Sequence, residues 1–231
     1  MSEPFYLGAY WGPRKEAVAS CADRLAACLS GLARASELVG TWYLKANRKS
    51  EMTKAPVSIE PEALATLLQA GQNRRDVDRE PILELGFSVA MWNGDYKRAV
   101  GMSVKCGAWS TVVPNSFVLS LPSIDDGAAE LYAPDVAQEL IRSVVTAWEP
   151  EWATFTSHSL REAQQLAPGA PVLGWATYLA SRDGVSEPQV PSGVSSEPLG
   201  AGVLVRVGQD PMQLSEPVLL AARGALNLMG R

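Results

Sequence analysis

The sequence predicts an α+β fold: a largely antiparallel sheet covered by helices, in a single domain spanning residues 1–231. Three observations predict it. The stretch Phe5–Lys45 begins with an apolar strand and runs into a helix with one buried stripe, which implies a sheet for that helix to cover. Between Leu85 and Leu121 three apolar-rich or alternating runs follow one another through short breaks, the pattern of an antiparallel meander with one buried face. Strand signals cluster in the middle of the chain and do not alternate strictly with helices, which disfavours a doubly wound parallel sheet.

The elements follow in order. Phe5–Ala9 is the first strand, Tyr10 and Trp11 form an aromatic pair behind it, and Gly12-Pro13 ends it. The helix that follows places Val18, Cys21, Ala22, Leu25, Cys28, Leu29 and Leu32 at helical spacing on one side. Glu16, Asp23, Arg24, Ser30 and Arg34 take the opposite side, which is expected to meet water. Gly40 ends the segment and Thr41–Leu44 reads as an apolar edge. Lys45–Lys54 is a basic, polar loop. Glu60-Pro61-Glu62 opens a short helix, because proline suits the first turn and acids suit the positive end of the dipole. Leu64, Leu67 and Leu68 are its buried side and Gly71 stops it. Asn73–Glu80 balances arginines against acids and reads as a solvated loop.

Leu85–Trp92, Ala99–Cys106 and Ser116–Leu121 are the meander strands, with Asn93-Gly94-Asp95 as the first turn. Pro122–Ile141 is the most acidic part of the chain and contains no Lys or Arg. Pro134 opens a helix with the stripe Val136, Leu140, Ile141, Val144, Val145 and Trp148, ended by Pro150. Trp152–Thr156 is a strand, and Ser159 with Glu162 has the form of a capping box for a short helix through Leu166. Val172–Leu179 is a strand. Ser181–Pro198, rich in proline, glycine and serine, is expected to be a long loop. Leu199–Val207 is a last strand, and Ser215-Glu216-Pro217 opens a terminal helix with Leu219, Ala222, Leu226 and Met229 on one side.

Composition narrows the function. The net charge is −5 and the pI about 5, which argues against nucleic acid as the main partner, since phosphate binding needs a basic footprint. The same charge suits a basic protein partner. Three cysteines without paired spacing do not make a disulfide framework, and Cys21 and Cys28 sit on the buried helix face. No export signal or membrane-length apolar run is visible, so the expected location is cytoplasmic, with no membrane partner.

Catalytic chemistry finds little to use. The one histidine, His158, lies between a strand and a helix in TSHSL, with no Gly-x-Ser-x-Gly elbow anywhere. One histidine and three scattered cysteines make no zinc set, no Walker loop is present, and no cofactor is expected. Asp125-Asp126 read as loop solvation and dipole complement before a helix. The seven tryptophans read mainly as core and core-rim packing; Trp92, beside the Asn93-Gly94 turn, is also suited to anchor a protein interface.

Four motifs carry a resemblance: FYLGAYWGPRKEAVASCADRLAACLSGL at the start, TWY at Thr41–Tyr43, MWNG at Met91–Gly94 and LGWATYL at Leu173–Leu179. Together, in this order and spacing, they resemble the Immunity protein 52 family, bacterial proteins encoded beside polymorphic toxins. The resemblance runs along most of the chain. It implies a protein that is not an enzyme and that neutralises a cognate toxin by tight non-covalent binding. It further implies a toxin with a nuclease domain of the restriction-endonuclease type, often delivered by a type VI secretion system. The residues suited to meet such a partner are Asp125, Asp126 and Glu130, the long-loop acids Asp183 and Glu187, and the turn residues Trp92 and Asp95. Two other classes stay open: a small hydrolase using His158 and a nearby carboxylate, and a secretion-system adaptor that binds the toxin without inhibiting it.

Overall fold

The computed structural model describes residues 2–44, 55–181 and 192–226. The expected basic loop Lys45–Lys54, the acids Asp183 and Glu187, and Met229 lie outside the described residues. The fold is α+β, built on one antiparallel sheet of nine strands in the order β2-β3-β4-β5-β1-β6-β7-β9-β8. The strands are β1 Phe5–Trp11, β2 Tyr43–Leu44, β3 Phe87–Trp92, β4 Gly101–Cys106, β5 Asn115–Ser120, β6 Trp152–Ser157, β7 Ala176–Ala180, β8 Val194–Leu199 and β9 Gly202–Val207. The helices are α1 Val18–Ala35, α2 Pro61–Ala70, α3 Pro134–Trp148, α4 His158–Ala163 and α5 Glu216–Ala225.

β1 lies at the centre of the sheet, between β5 and β6. Side chains alternate across a strand, so residues paired in register share a face. On the first face Met91, Met102, Leu119, Leu7 and Phe155 form one row, and Val89, Val104, Phe117, Ala9 and Ala153 the next. All ten are buried, under α1, α2 and α3. The helices reach the sheet through large aromatics: Trp148 of α3 stacks on Trp11 at 5.3 Å, and Phe5 meets Tyr132 and Phe155. α1 and α3 approach most closely where Gly31 faces Ser143.

The meander β3-β4-β5 is as the alternation predicts, with Val100, Met102, Val104 and Cys106 all buried. Several boundaries move for physical reasons. β1 continues through Tyr10 and Trp11, because Tyr10 finds partners in both β5 and β6 and Trp11 pairs with Asn115 of β5. α4 is capped by Ser157, whose hydroxyl accepts the Leu160 amide, whereas the Ser159 hydroxyl donates to the Glu3 carboxylate. The expected loop Ser181–Pro198 holds strand β8, an edge strand whose polar residues face water and so read as loop. Gly200-Ala201 then separates β8 from β9.

Glu16 and Arg24, expected simply to face water, form a charged cluster at the end of α3. Arg24 bridges Glu16 at 2.8 Å and Glu149 at 2.9 Å, and donates to the Ala147 carbonyl at 2.8 Å. Arg14 bridges Glu16 and donates to the Trp148 carbonyl at 2.9 Å. Two cations thus satisfy carbonyls at the negative end of the helix dipole.

Candidate partner-binding site

The second face of the sheet is covered unevenly. At the β6–β7 end Thr154, Thr156 and Thr177 are fully buried. The backbone at Gly174 crosses directly over Thr154, and α4 begins with His158 against the Tyr6 ring at 5.0 Å. Across β3, β4 and β5 the same face is bare. One register row there reads Trp92, Gly101, Ser120, Tyr6; the next reads Ala90, Ser103, Val118, Gly8; the third reads Ser88, Lys105, Ser116, Tyr10. Ala90, Ser103, Lys105 and Ser120 are exposed.

Two aromatic groups border this bare area. Tyr10 folds over Gly8 and stacks on Trp152 at 4.4 Å, while Tyr6 lies beneath His158. Burial pushes the Tyr6 phenol up to about 12, so it is a neutral hydroxyl at working pH. On the other side Trp92 meets Tyr96 edge-on at 4.9 Å, and Tyr96 is 70% exposed. Between Trp92, Tyr96 and Ser120 lies a groove of about 580 Å³, floored by Ala90, Gly101 and Ser103.

The turn residues Asn93–Arg98 frame one end of the groove. Asn93 donates to the carbonyls of Leu38 and Arg98 and accepts the Val100 amide, which fixes the turn to the end of α1. Asp95 accepts the amides of Arg98 and Lys97 and pairs with the Arg98 guanidinium at 2.9 Å. These donors hold its carboxyl below the usual carboxylate range, the Arg98 amide foremost. The Arg98 side chain in turn lies 3.9 Å from where a Gly127 Cβ would sit, which brings in the acidic turn Ser123–Gly127. There Asp126 closes a capping box with Ser123, and Asp125 accepts the Ser2 amide at 2.6 Å. Glu130 accepts the Ser36 hydroxyl at 3.2 Å, at the end of α1. Trp92, Asp95, Asp125, Asp126 and Glu130, scattered in sequence, therefore come together at one end of the sheet. Beside His158, the Ser157 hydroxyl caps α4 and the Ser159 hydroxyl donates to the Glu3 carboxylate.

A family model described as Immunity protein 52 matches residues 3–228, almost the whole chain. The chain belongs to the Immunity protein 52 family. Membership implies a toxin protein as binding partner. None of the curated proteins matches this family member. Among solved structures it is similar to the Pseudomonas aeruginosa T6SS protein PA0821, with a TM-score of 0.56 and 15% identity over 98% of this chain and 73% of that one. That likeness is one of fold.

The sequence names Trp92 and the acids as partner-facing candidates, and not Tyr96, Ala90, Gly101, Ser103 or Ser120, which line the groove beside Trp92. The available signal was a glycine and small polar residues at the outward positions of two strands whose inward positions are all large and apolar. The three cysteines are buried and free, as the helical and strand patterns imply. Among the described residues no His, Cys, Asp or Glu cluster could hold a metal ion, and no helix is long and apolar enough to cross a membrane.

Proposed function

We propose that this protein is the immunity protein of a nuclease toxin of the restriction-endonuclease type, a type VI secretion effector, which it neutralises in the cytoplasm by tight non-covalent binding and without catalysis. The observation that carries the reading is the family match over residues 3–228. The charge supports the nuclease part. A nuclease presents Lys and Arg where phosphates lie, and this chain, at −5, gathers Asp95, Asp125, Asp126 and Glu130 at one end of its sheet. Opposite charges speed encounter, and speed matters when the competitor is DNA. The local bonds of these acids fix their positions, so the acidic end is presented preformed.

The test is co-expression with the toxin encoded beside the gene, followed by size exclusion and a nuclease assay on the purified pair. A stable complex with silenced nuclease is expected. A complex with the nuclease still active would instead make this an adaptor, and no complex would remove the immunity reading. Within the complex, reversing the charge at Asp125 and Asp126 together is expected to slow association and flatten its salt dependence. Unchanged rates would take the acidic turn out of the interface.

A further inference from the structure

The bare face across β3, β4 and β5 has a feature that the fold itself does not call for. Gly101 is the first residue of β4 and is paired on both sides, with Trp92 of β3 and Ser120 of β5, a position where β-branched residues fit better than glycine. Its φ is not positive, and a Cβ built on it would meet nothing within 4 Å. Neither backbone geometry nor the chain's own packing requires glycine there. A glycine there leaves the floor of the groove open to close approach from outside the chain.

We propose that this face is the toxin-docking surface, and that the groove over Gly101 receives a loop of the toxin carrying a Lys or Arg side chain. The proposal rests on the immunity reading and names its surface. The groove's volume, about 580 Å³, suits a loop segment with an inserted side chain. Its wall is the Trp92–Tyr96 pair, and aromatic faces attract a desolvated cation. A well-exposed tyrosine beside a half-buried tryptophan is also the composition of an interface anchor. Asp95, in the same turn as the groove-wall Tyr96, and Asp125, Asp126 and Glu130 lie at the Trp92 end of the sheet, where they outnumber Lys97 and Arg98 and favour an incoming cation.

The experiment is calorimetric titration of the full-length protein with a catalytically inactivated form of the toxin domain encoded beside the gene. Gly101→Leu fills the groove from a Cβ position that meets no atom of the chain within 4 Å, and is expected to weaken binding by at least about 30-fold, the scale of a hot-spot loss, while the melting temperature holds. Ser103→Leu, one register row along on the exposed floor, is the second variant should Gly101→Leu misfold. Ser196→Leu, on the far edge strand β8, is the control and is expected to bind as wild type. Wild-type affinity is expected to fall as salt rises. Folded groove variants that bind like wild type would overturn the docking surface while the immunity reading stood. Salt-independent affinity would overturn the cationic loop. Absence of wild-type binding would overturn the immunity reading itself.

Discussion

The two faces of β3, β4 and β5 are made from alternate residues of the same strands, yet they differ in every physical respect. One face carries Met91, Met102, Val104, Phe117 and Leu119, all buried beneath helices. The other carries Ala90, Gly101, Ser103 and Ser120, open to solvent and bounded by Trp92 and Tyr96. A period of two lets one side of a strand pack into the core while the other side is free of that constraint. Substitutions on the helix-covered face are expected to cost stability, and those on the bare face to cost affinity.

The largest expected effect is at Trp148, fully buried and stacked on Trp11. Trp148→Ala should destabilise the protein by about 3–5 kcal/mol, read as the shift in a denaturant unfolding midpoint. Trp92→Ala, its counterpart on the bare face, should cost clearly less stability and more affinity. Equal losses of stability would erase the distinction between the faces.

Two glycines sharpen it further. At Gly31 in α1 a Cβ would lie 2.7 Å from the Ser143 Cβ of α3, so the helices can approach this closely only without it. Gly31→Ala gains up to about 1 kcal/mol of helix propensity but overpacks the contact by about 1–3 kcal/mol, a net loss. Adding Ser143→Gly should recover part of that loss, which a double-mutant cycle measures. Gly101→Ala, with open space around it, should be neutral or stabilising by up to about 1 kcal/mol. A destabilised Gly101→Ala would mean that the fold, not a partner, requires that glycine.

The inward face was largely legible in the sequence and the outward one was not. Helix stripes, proline starts and strand alternation report burial, and burial is what α1, α3 and the meander share. The position of β1 between β5 and β6 rests on pairings more than 100 residues apart, such as Leu7 with Leu119, which no local pattern encodes. Ser159 resembled a cap because its capping-box spacing is local; Glu3 claims its hydroxyl from the other end of the chain. β8 reads as loop because Ser195, Ser196 and Pro198 of this edge strand face water and only its end residues, Val194 and Leu199, reach the core. Of the site, Trp92, Asp95 and the acidic turn stood out by residue type, while Gly101 and Ser103 stood out only once the strands were aligned.

A smaller effect is expected from the arginine cluster behind the covered face. Arg24→Ala removes two ion pairs and a hydrogen bond to the Ala147 carbonyl, in a setting still partly open to water. Solvent screening keeps the loss to about 1–2 kcal/mol. It should shrink as salt is raised, whereas the Trp148→Ala loss should not, and thermal unfolding at two ionic strengths separates them.

The smallest effect belongs to the rim of the bare face. The Arg98 and Lys97 amides and the Arg98 guanidinium lower the Asp95 pKa in the folded protein. Its unfolded value is that of an ordinary aspartate, about 3.9. A group whose folded value is depressed contributes stability that is fully present above the unfolded value and is lost as pH falls through the folded one. Asp95→Asn should therefore lower stability slightly at neutral pH and leave a shallower acid limb below about pH 4. Because the carboxylate is solvated, the change in unfolding stability should be far below that of Trp148→Ala. Its effect on toxin affinity at neutral pH should be the larger of the two readouts, since the turn it pins carries Tyr96 at the wall of the groove. If Asp95→Asn changes stability more than affinity, the turn belongs to the fold's own stability and the division between the two faces ends at Trp92.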